Sequence, residues 1–506
     1  IIRGTRTDPR PRSAALGGGG AAMNRRAPAV AVTAVVVSLL VWQTSGEPAP
    51  ASPVVFSTGD RAWIPQTPAG GVLESVWYCP GVPAGGREDA LEVGGAIAIA
   101  NPSSEATRAQ ITFISDTAPS EQQVIDLAAN GRALIDVDSE IEATFAGAVV
   151  EILGGGGAVE QRVFHPDGNS STPCTTDLSS TWYLADGYTV GEALHEVILM
   201  NPADDQVVVD VEFLTDDGVR RPSAYTGYPV PARSTRIIDV GAEGAGARGE
   251  TRVGVIVTAA RGALLVGRAA SADDDARGGT TVSSVAAVTA EQWWFAAGDK
   301  GSDATERYSI MNPGETDTEV TVVFFPREIV RGPVVVPVTV PARRVATIDT
   351  GTVSGLPEGA HGAVVSTTDG SKIVVDRALT RIADGQRVTS VVPGVPNRPD
   401  GDLPTSWLLA GGPSTPTPAG LSILNVDNEP VTVTITVLGA TGEVPLPKLE
   451  AIEIPGTGLA TPDLVDEAAL ARPLRITATG RVLVERSIPS GTSSHTSWAI
   501  AGADQP

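Results

Sequence analysis

The sequence predicts an all-β protein: four tandem immunoglobulin-like β-sandwich repeats behind an N-terminal hydrophobic segment. Three observations predict it. Landmark residues recur four times at matched spacings, the stretches between them alternate apolar and polar with period two, and Gly/Pro-rich turns separate them every few residues. Seven short strands in about a hundred residues is the size of an immunoglobulin-like sandwich.

Each copy opens on a tryptophan, in Trp77-Tyr78, Trp182-Tyr183, Trp294-Phe295 and Trp407-Leu408. An asparagine follows, in Asn101-Pro102, Asn201-Pro202, Asn312-Pro313 and, without the proline, Asn425-Val426. Next comes an aspartate at a strand end: Asp136, Asp239, Asp349 and Asp463. An arginine follows a late hydrophobic strand, at Arg162, Arg268, Arg377 and Arg486.

The registers between landmarks carry the argument. Ten and twelve residues after each asparagine stand Ile111 and Phe113, Val211 and Phe213, Val322 and Phe324, Ile435 and Val437. Positions two apart share one face of a strand, so each pair is expected in a core. In the fourth copy, strands are expected near 407–410, 420–426, 431–438, 449–454, 457–461, 473–478 and 481–488, with a helical turn or two between Pro462 and Ala471. The resulting layout is repeat 1 over 75–178, repeat 2 over 179–290, repeat 3 over 291–403 and repeat 4 over 404–506.

The chain end at Trp498-Ala499-Ile500-Ala501-Gly502 reproduces the opening strand a fifth time. Either it completes the copy before it, or it closes an eight-bladed β-propeller against the first copy.

A feature present in every copy specifies the fold and is poor evidence for catalysis. The tryptophans are therefore read as core filling or junction plugs, and the asparagines as turn formers whose side chains bond local backbone. The aspartates are read as acceptors for backbone N–H groups.

Composition narrows the class of partner. With 59 acids against 36 bases the formal charge is −23, a surface that repels nucleic acid and anionic lipid. Cys79 and Cys174 are the two cysteines, flank the first repeat, and are expected to form a disulfide in an oxidising compartment.

Residues 1–22 are low-complexity and read as preceding the native start, with Met23 the more plausible initiator. Segment 23–46 carries Arg25 and Arg26 before the apolar run Ala29–Trp42, the pattern of a signal peptide or membrane anchor. Residues 47–74 then read as a linker, and everything after it is expected outside the cytoplasm.

The chemistry-bearing residues form no recognisable constellation. His165, His195, His361 and His495 are scattered over the copies, and Gly154–Gly157 lacks the lysine of a phosphate loop. Asp273-Asp274-Asp275 lacks the spacing of a calcium loop and reads as solvated. No catalytic, metal or cofactor residue is expected.

The opening strands (WYLADG, WWFAAG, WLLAGG), the Asn-Pro pairs and the segments PARSTRIIDV and PARRVATIDT resemble domain of unknown function 5719. That is a family of secreted or membrane-anchored actinobacterial proteins of unassigned function. They are also similar to the Trp-Tyr-Phe-Ala-x-Gly tandem repeats of bacterial surface proteins. The resemblance covers roughly residues 70–506 and implies an envelope location and a β-repeat fold.

The expected function is a non-enzymatic cell-envelope binding or scaffolding module whose partner is an envelope glycan or protein. The alternatives are an accessory factor for assembly or export of a cell-wall glycopolymer, and a secreted hydrolase.

Overall fold

The computed structural model describes residues 64–67, 73–86 and 94–502, apart from 118, 166–167, 328–331, 384, 398–402, 412–418, 441, 465–471 and 491–492. The chain divides into Ile1–Arg61 and Ala62–Pro506. The hydrophobic segment lies outside the described residues, as does most of the expected helical turn after Asp463. Among the described residues no helix is long and apolar enough to cross a membrane.

Each repeat is two antiparallel sheets. In repeat 1, Glu74–Ala84, Ala143–Leu153, Thr107–Ser115 and Gln123–Leu127 make one sheet in that order. Arg132–Asp136, Gly94–Ala100, Ala158–His165 and Gly168–Pro173 make the other. The chain crosses between sheets instead of completing one before starting the next, which is sandwich connectivity. Repeats 2, 3 and 4 follow the same order, with extra short edge strands.

Period-two patterning explains why these residues pair this way. In Thr107–Ser115, Ala109, Ile111 and Phe113 are buried while Gln110 and Thr112 face outward. Val207–Thr215 and Thr318–Pro326 behave alike, burying Val211 and Phe213, Val322 and Phe324. The fourth copy keeps the register: Val431, Val433 and Ile435 are buried, and Val437, partly buried, packs against the same core. Leu438 lies on the other face and packs toward the neighbouring repeat, as Ile114 and Leu214 do at the equivalent positions of repeats 1 and 2.

One correction concerns the third opening strand. Trp293, fully buried, occupies the register of Trp77, Trp182 and Trp407, while Trp294 points the other way and stacks on Phe325. Two adjacent tryptophans made the sequence ambiguous by one residue, and a one-residue slip in a strand exchanges faces.

The terminal strand Ile500–Ala501 pairs with Trp407 and Leu408 of its own repeat. It thereby completes the copy before it. Val395–Pro396 does the same for Trp293 and Trp294, and single bridges at Thr175 and Ala286 do so for Tyr78 and Tyr183.

The four sandwiches nevertheless form a closed ring, because the last hairpin of each second sheet meets its neighbour. Thr172 Oγ1 donates to Val282 O at 3.1 Å, and Gly278 N to Thr389 Oγ1 at 3.2 Å. Trp498 Nε1 donates to Pro393 O at 2.8 Å, and Arg486 Nη2 to Ser171 Oγ at 2.7 Å. These hairpins are rich in small hydroxyl residues, Ser170, Ser171, Thr172, Thr280, Thr281, Ser283, Thr389 and Ser390, all buried. Four strands converging on one hub leave room for little else.

Close approach also governs the outer seams. A Cβ on Gly147 would lie 2.2 Å from Met200 Sδ, and one on Gly254 would lie 2.6 Å from Met311 Cε. Each glycine thus admits a side chain of the next repeat. A further strap lies along the terminal strand of repeat 4. Residues 64–67 bridge in parallel to Ala501, with Thr67 N to Ala501 O and Ala501 N to Pro65 O both at 2.9 Å.

Candidate functional site at the seams between repeats

The recurring residues are occupied by the fold. Each asparagine is a buried clasp. Asn312 Nδ2 donates to Thr316 O at 2.8 Å and Val340 O at 3.1 Å, and its Oδ1 accepts from Gly314 N at 2.9 Å. Asn101, Asn201 and Asn425 make the same three kinds of bond, so the missing proline after Asn425 changes nothing in the clasp. The turn it holds places one non-glycine residue in the left-handed region in every copy: Asn130, Arg233, Arg343 and Thr457, at φ 48°, 47°, 54° and 55°. Buried backbone satisfaction is what keeps this conformation.

The other sequence candidates are placed as follows. Trp182, Trp293 and Trp407 donate their indole N–H to Leu264 O, Ile373 O and Val482 O, four residues before Arg268, Arg377 and Arg486. Trp77 is buried without that bond. Asp239 and Asp349 accept from Gly241 N and Gly351 N, at 2.9 and 2.8 Å. Asp136 is exposed and makes no such bond, and the Asp463 side chain lies outside the described residues. Cys79 and Cys174 form a disulfide.

The arginines do something the sequence did not reveal: they tie each repeat to the next. Arg268 Nη2 lies 2.6 Å from Asp376, Arg377 Nη2 2.6 Å from Glu485, and Arg486 Nη2 2.9 Å from Glu160. All six side chains are buried. Each carboxylate also accepts from backbone N–H groups of the preceding repeat's opening strand: Asp376 from Ala185 and Asp186, Glu485 from Ala296, Glu160 from Ala410. Charge-assisted bonds of this kind compensate the desolvation of both ions.

The seam between repeats 1 and 2 is the exception. The ladder aligns Glu160 three residues before Asn101 through Ala98, as it aligns Asp376 and Glu485 through Ser309 and Ser422. Gln161 therefore holds the register of the arginines, and Arg162 is an added cation beside Glu160 at 3.5 Å. This corrects the sequence alignment by one residue. The partner acid is replaced by Gly267, where a Cβ would lie 2.6 Å from Pro80. Pro80 itself stands where Ala185, Ala296 and Ala410 offer an N–H, and a proline has none to offer. Cation, anion and donor are absent together, and Gln161 instead accepts from Gly81 N at 3.1 Å.

The seam between repeats 2 and 3 holds a buried polar cluster. Arg277 grips Asp186 with both nitrogens at 2.7 and 2.9 Å, and Ser309 Oγ donates to Asp186 at 2.8 Å. Burial opposes ionisation of Asp186, yet Arg277 holds its carboxyl well below the usual carboxylate range. Beside it His195 is buried with Nε2 unpartnered among the described residues, and burial with Arg268 nearby drives its pKa down to about 3. Burial also raises the Asp376 carboxyl, against the pull of Arg268. Arg268 Nε and Nη1 and Asp376 Oδ1 are likewise unpartnered among the described residues. The small opening of about 20 Å³ lined by Asp186, His195, Arg268 and Thr389 has room for about one water. A neutral imidazole and a carboxylate already held by arginine can position such a molecule, but the opening admits nothing larger.

Asp274, from the acidic run, accepts from Tyr188 Oη and from Ala276 and Arg277 N–H groups, which makes it a turn former. Among the described residues no group of three or more His, Cys, Asp and Glu side chains is placed to hold a metal. The larger opening is a groove of about 260 Å³ where repeats 3 and 4 meet, lined by Asp299, Arg327, Arg381, Ser422, Thr461 and Ser487. Because these residues differ between copies, no repeat landmark could have pointed to it.

No curated protein matches the chain. Among solved structures, the chain is similar to one titled Thermotoga maritima 1070, at 15% identity over 22% of this chain and 96% of that one, with a TM-score of 0.20. It is also similar to an α-L-rhamnosidase of Streptomyces avermitilis complexed with L-rhamnose, at 10% identity over 84% of this chain and 44% of that one, TM-score 0.15. A tetra-tandem repeat from the extending region of a large adhesion protein is 15% identical over 79% of this chain and 93% of that one, TM-score 0.11. The repeats, the clasp and the charged seams thus belong to a chain whose residues 156–402 match the model of a family of unknown function, DUF5719.

Proposed function

We propose that this protein is a non-enzymatic, extracytoplasmic binding or scaffolding module of the cell envelope. The observation that carries the reading is how the recurrent polar residues are used. The Asn clasps hold turns, the Arg–carboxylate pairs hold seams, and the hydroxyl-rich hairpins fill the hub, so what varies between copies lies in loops and in the grooves between repeats. A rigid ring with variable surfaces suits recognition of an envelope glycan or protein, with several weak contacts adding by avidity. The net charge of −23 argues for partners other than nucleic acid. The disulfide between Cys79 and Cys174 and the apolar run Ala29–Trp42 support a place outside the cytoplasm, secreted or anchored.

The test is retention of the purified chain on isolated cell-wall fractions, with crosslinking on intact cells to capture protein partners. Retention with capture of an envelope component supports the scaffold. A chain recovered in the cytoplasmic fraction, bound to neither, sinks it.

A further inference from the structure

We infer that the groove between repeats 3 and 4 binds a small polyhydroxylated carboxylate, the chemical class of a sugar acid. This rests on the envelope-binding reading and names a ligand for it.

The groove exists because of one substitution between copies. Ala296 and Ala185 hold equivalent registers, each donating its N–H to the next repeat's carboxylate. The next residue is Asp186 in repeat 2 and Ala297 in repeat 3. Likewise Ser309 and Ser422 are equivalent, each pairing with the seam acid on the ladder. In the earlier seam the Asp186 carboxylate takes the Ser309 hydroxyl and is gripped by Arg277. In the later seam Ala297 supplies no carboxylate, and the place it leaves is open, about 260 Å³ in extent. The same backbone site is filled by an internal anion in one seam and empty of one in the other.

The lining states what would replace it. Arg327 is exposed at the mouth, and Arg381, three-quarters buried, lies 3.4 Å from Asp299 at the side. Forked guanidinium donors match the planar geometry of a carboxylate. Ser422, Thr461 and Ser487 bring hydroxyls that make no hydrogen bond among the described residues, and Asp299 can accept from ligand hydroxyls. Gly420, where an added Cβ would meet nothing within 4 Å, lets a ligand approach the backbone closely. One exposed cation at Arg327, one acceptor and three hydroxyls suit a molecule carrying one carboxylate and several hydroxyl groups.

The test is calorimetric titration of the full chain with glucuronate or galacturonate, with glucose and inorganic phosphate as the other arms. The expected result is a Kd for the sugar acid of about 1 mM or tighter. Glucose and phosphate should each bind at least about tenfold more weakly, a difference of ~1.4 kcal/mol. Arg327→Ala, at an exposed position, should weaken binding about tenfold. Ala297→Asp, which restores the carboxylate found in the neighbouring seam, should abolish binding. Absence of sugar-acid binding, equal or better binding of glucose or phosphate, or indifference to both variants overturns the assignment. Overturned in this way with wall retention intact, the groove alone fails. Loss of wall retention in the unaltered chain sinks the scaffold reading instead.

Discussion

Arg486 reaches Glu160 across the seam where the fourth repeat meets the first, at 2.9 Å and 326 residues apart in sequence. Burial alone would raise the Glu160 carboxyl, but Arg486 and Arg162 together hold it below its ordinary value. The pair is the point at which a linear array becomes a ring. Breaking one side of a buried pair leaves the other ion uncompensated, at about 3–5 kcal/mol. Glu160→Gln should be the costlier single change, because it leaves Arg162 and Arg486 facing each other. Urea denaturation of Glu160→Gln, Arg486→Gln and the double variant gives the coupling, expected above about 1 kcal/mol. Additive effects would show that the ring is closed by other contacts.

His195 makes stability depend on pH in a stated direction. Its folded pKa is about 3, below the unfolded value of about 6.5. Between these values the unfolded chain binds more protons, so stability falls as pH drops from 6.5 toward 3, by up to ~1.4 kcal/mol per unit. Above 6.5 the term vanishes. His195→Leu should flatten the profile of melting temperature between pH 6.5 and 4 relative to the unaltered protein. An identical slope in both would show that the imidazole is protonated when folded.

The clasp is testable in any copy. Asn312→Ala removes a buried donor and acceptor and leaves Thr316 O, Val340 O and Gly314 N without their partner. A loss of about 2–3 kcal/mol is expected by denaturant unfolding. Asn312→Asp keeps the acceptor but sets a carboxylate against two carbonyls, and should be at least as damaging. If Asp is tolerated like the parent, the donor half of the clasp is unimportant.

The disulfide should matter more than its single repeat suggests, because its seam lacks the ion pair. Cys79 and Cys174 close a loop with a sequence separation of 95, for which the chain-entropy model gives roughly 4–5 kcal/mol. Reduction, or Cys79→Ala with Cys174→Ala, should lower the melting temperature measurably. Repeat 1 should be the first region to lose amide protection in hydrogen exchange. Uniform loss across all repeats would contradict this.

Much of the fold was legible in the sequence, because period-two alternation and four-fold repetition each constrain the register independently. The fold class, the strand pattern around Ile111 and Val211, and the turn role of the asparagines all followed from local chemistry. What failed were single-residue registers. Trp293 and Trp294 are chemically alike, and Arg162 sits next to the true register at Gln161. The seams were less readable still. Arg268 and Asp376 lie 108 residues apart, and no local pattern announces that a strand's arginine will meet the acid of the next copy. The groove between repeats 3 and 4 was invisible for the same reason, since it depends on the difference between Ala297 and Asp186.

The parallel bridge from residues 64–67 to Ala501 brings the beginning of the folded unit against its end. Joining those two points with a short linker, and cutting instead in an exposed loop, would give a circular permutant with the same contacts. The molecule is therefore topologically indifferent to where its chain starts. It also has a natural socket: a guest domain inserted between the two abutting ends would sit on the rim without disturbing any of the four sandwiches.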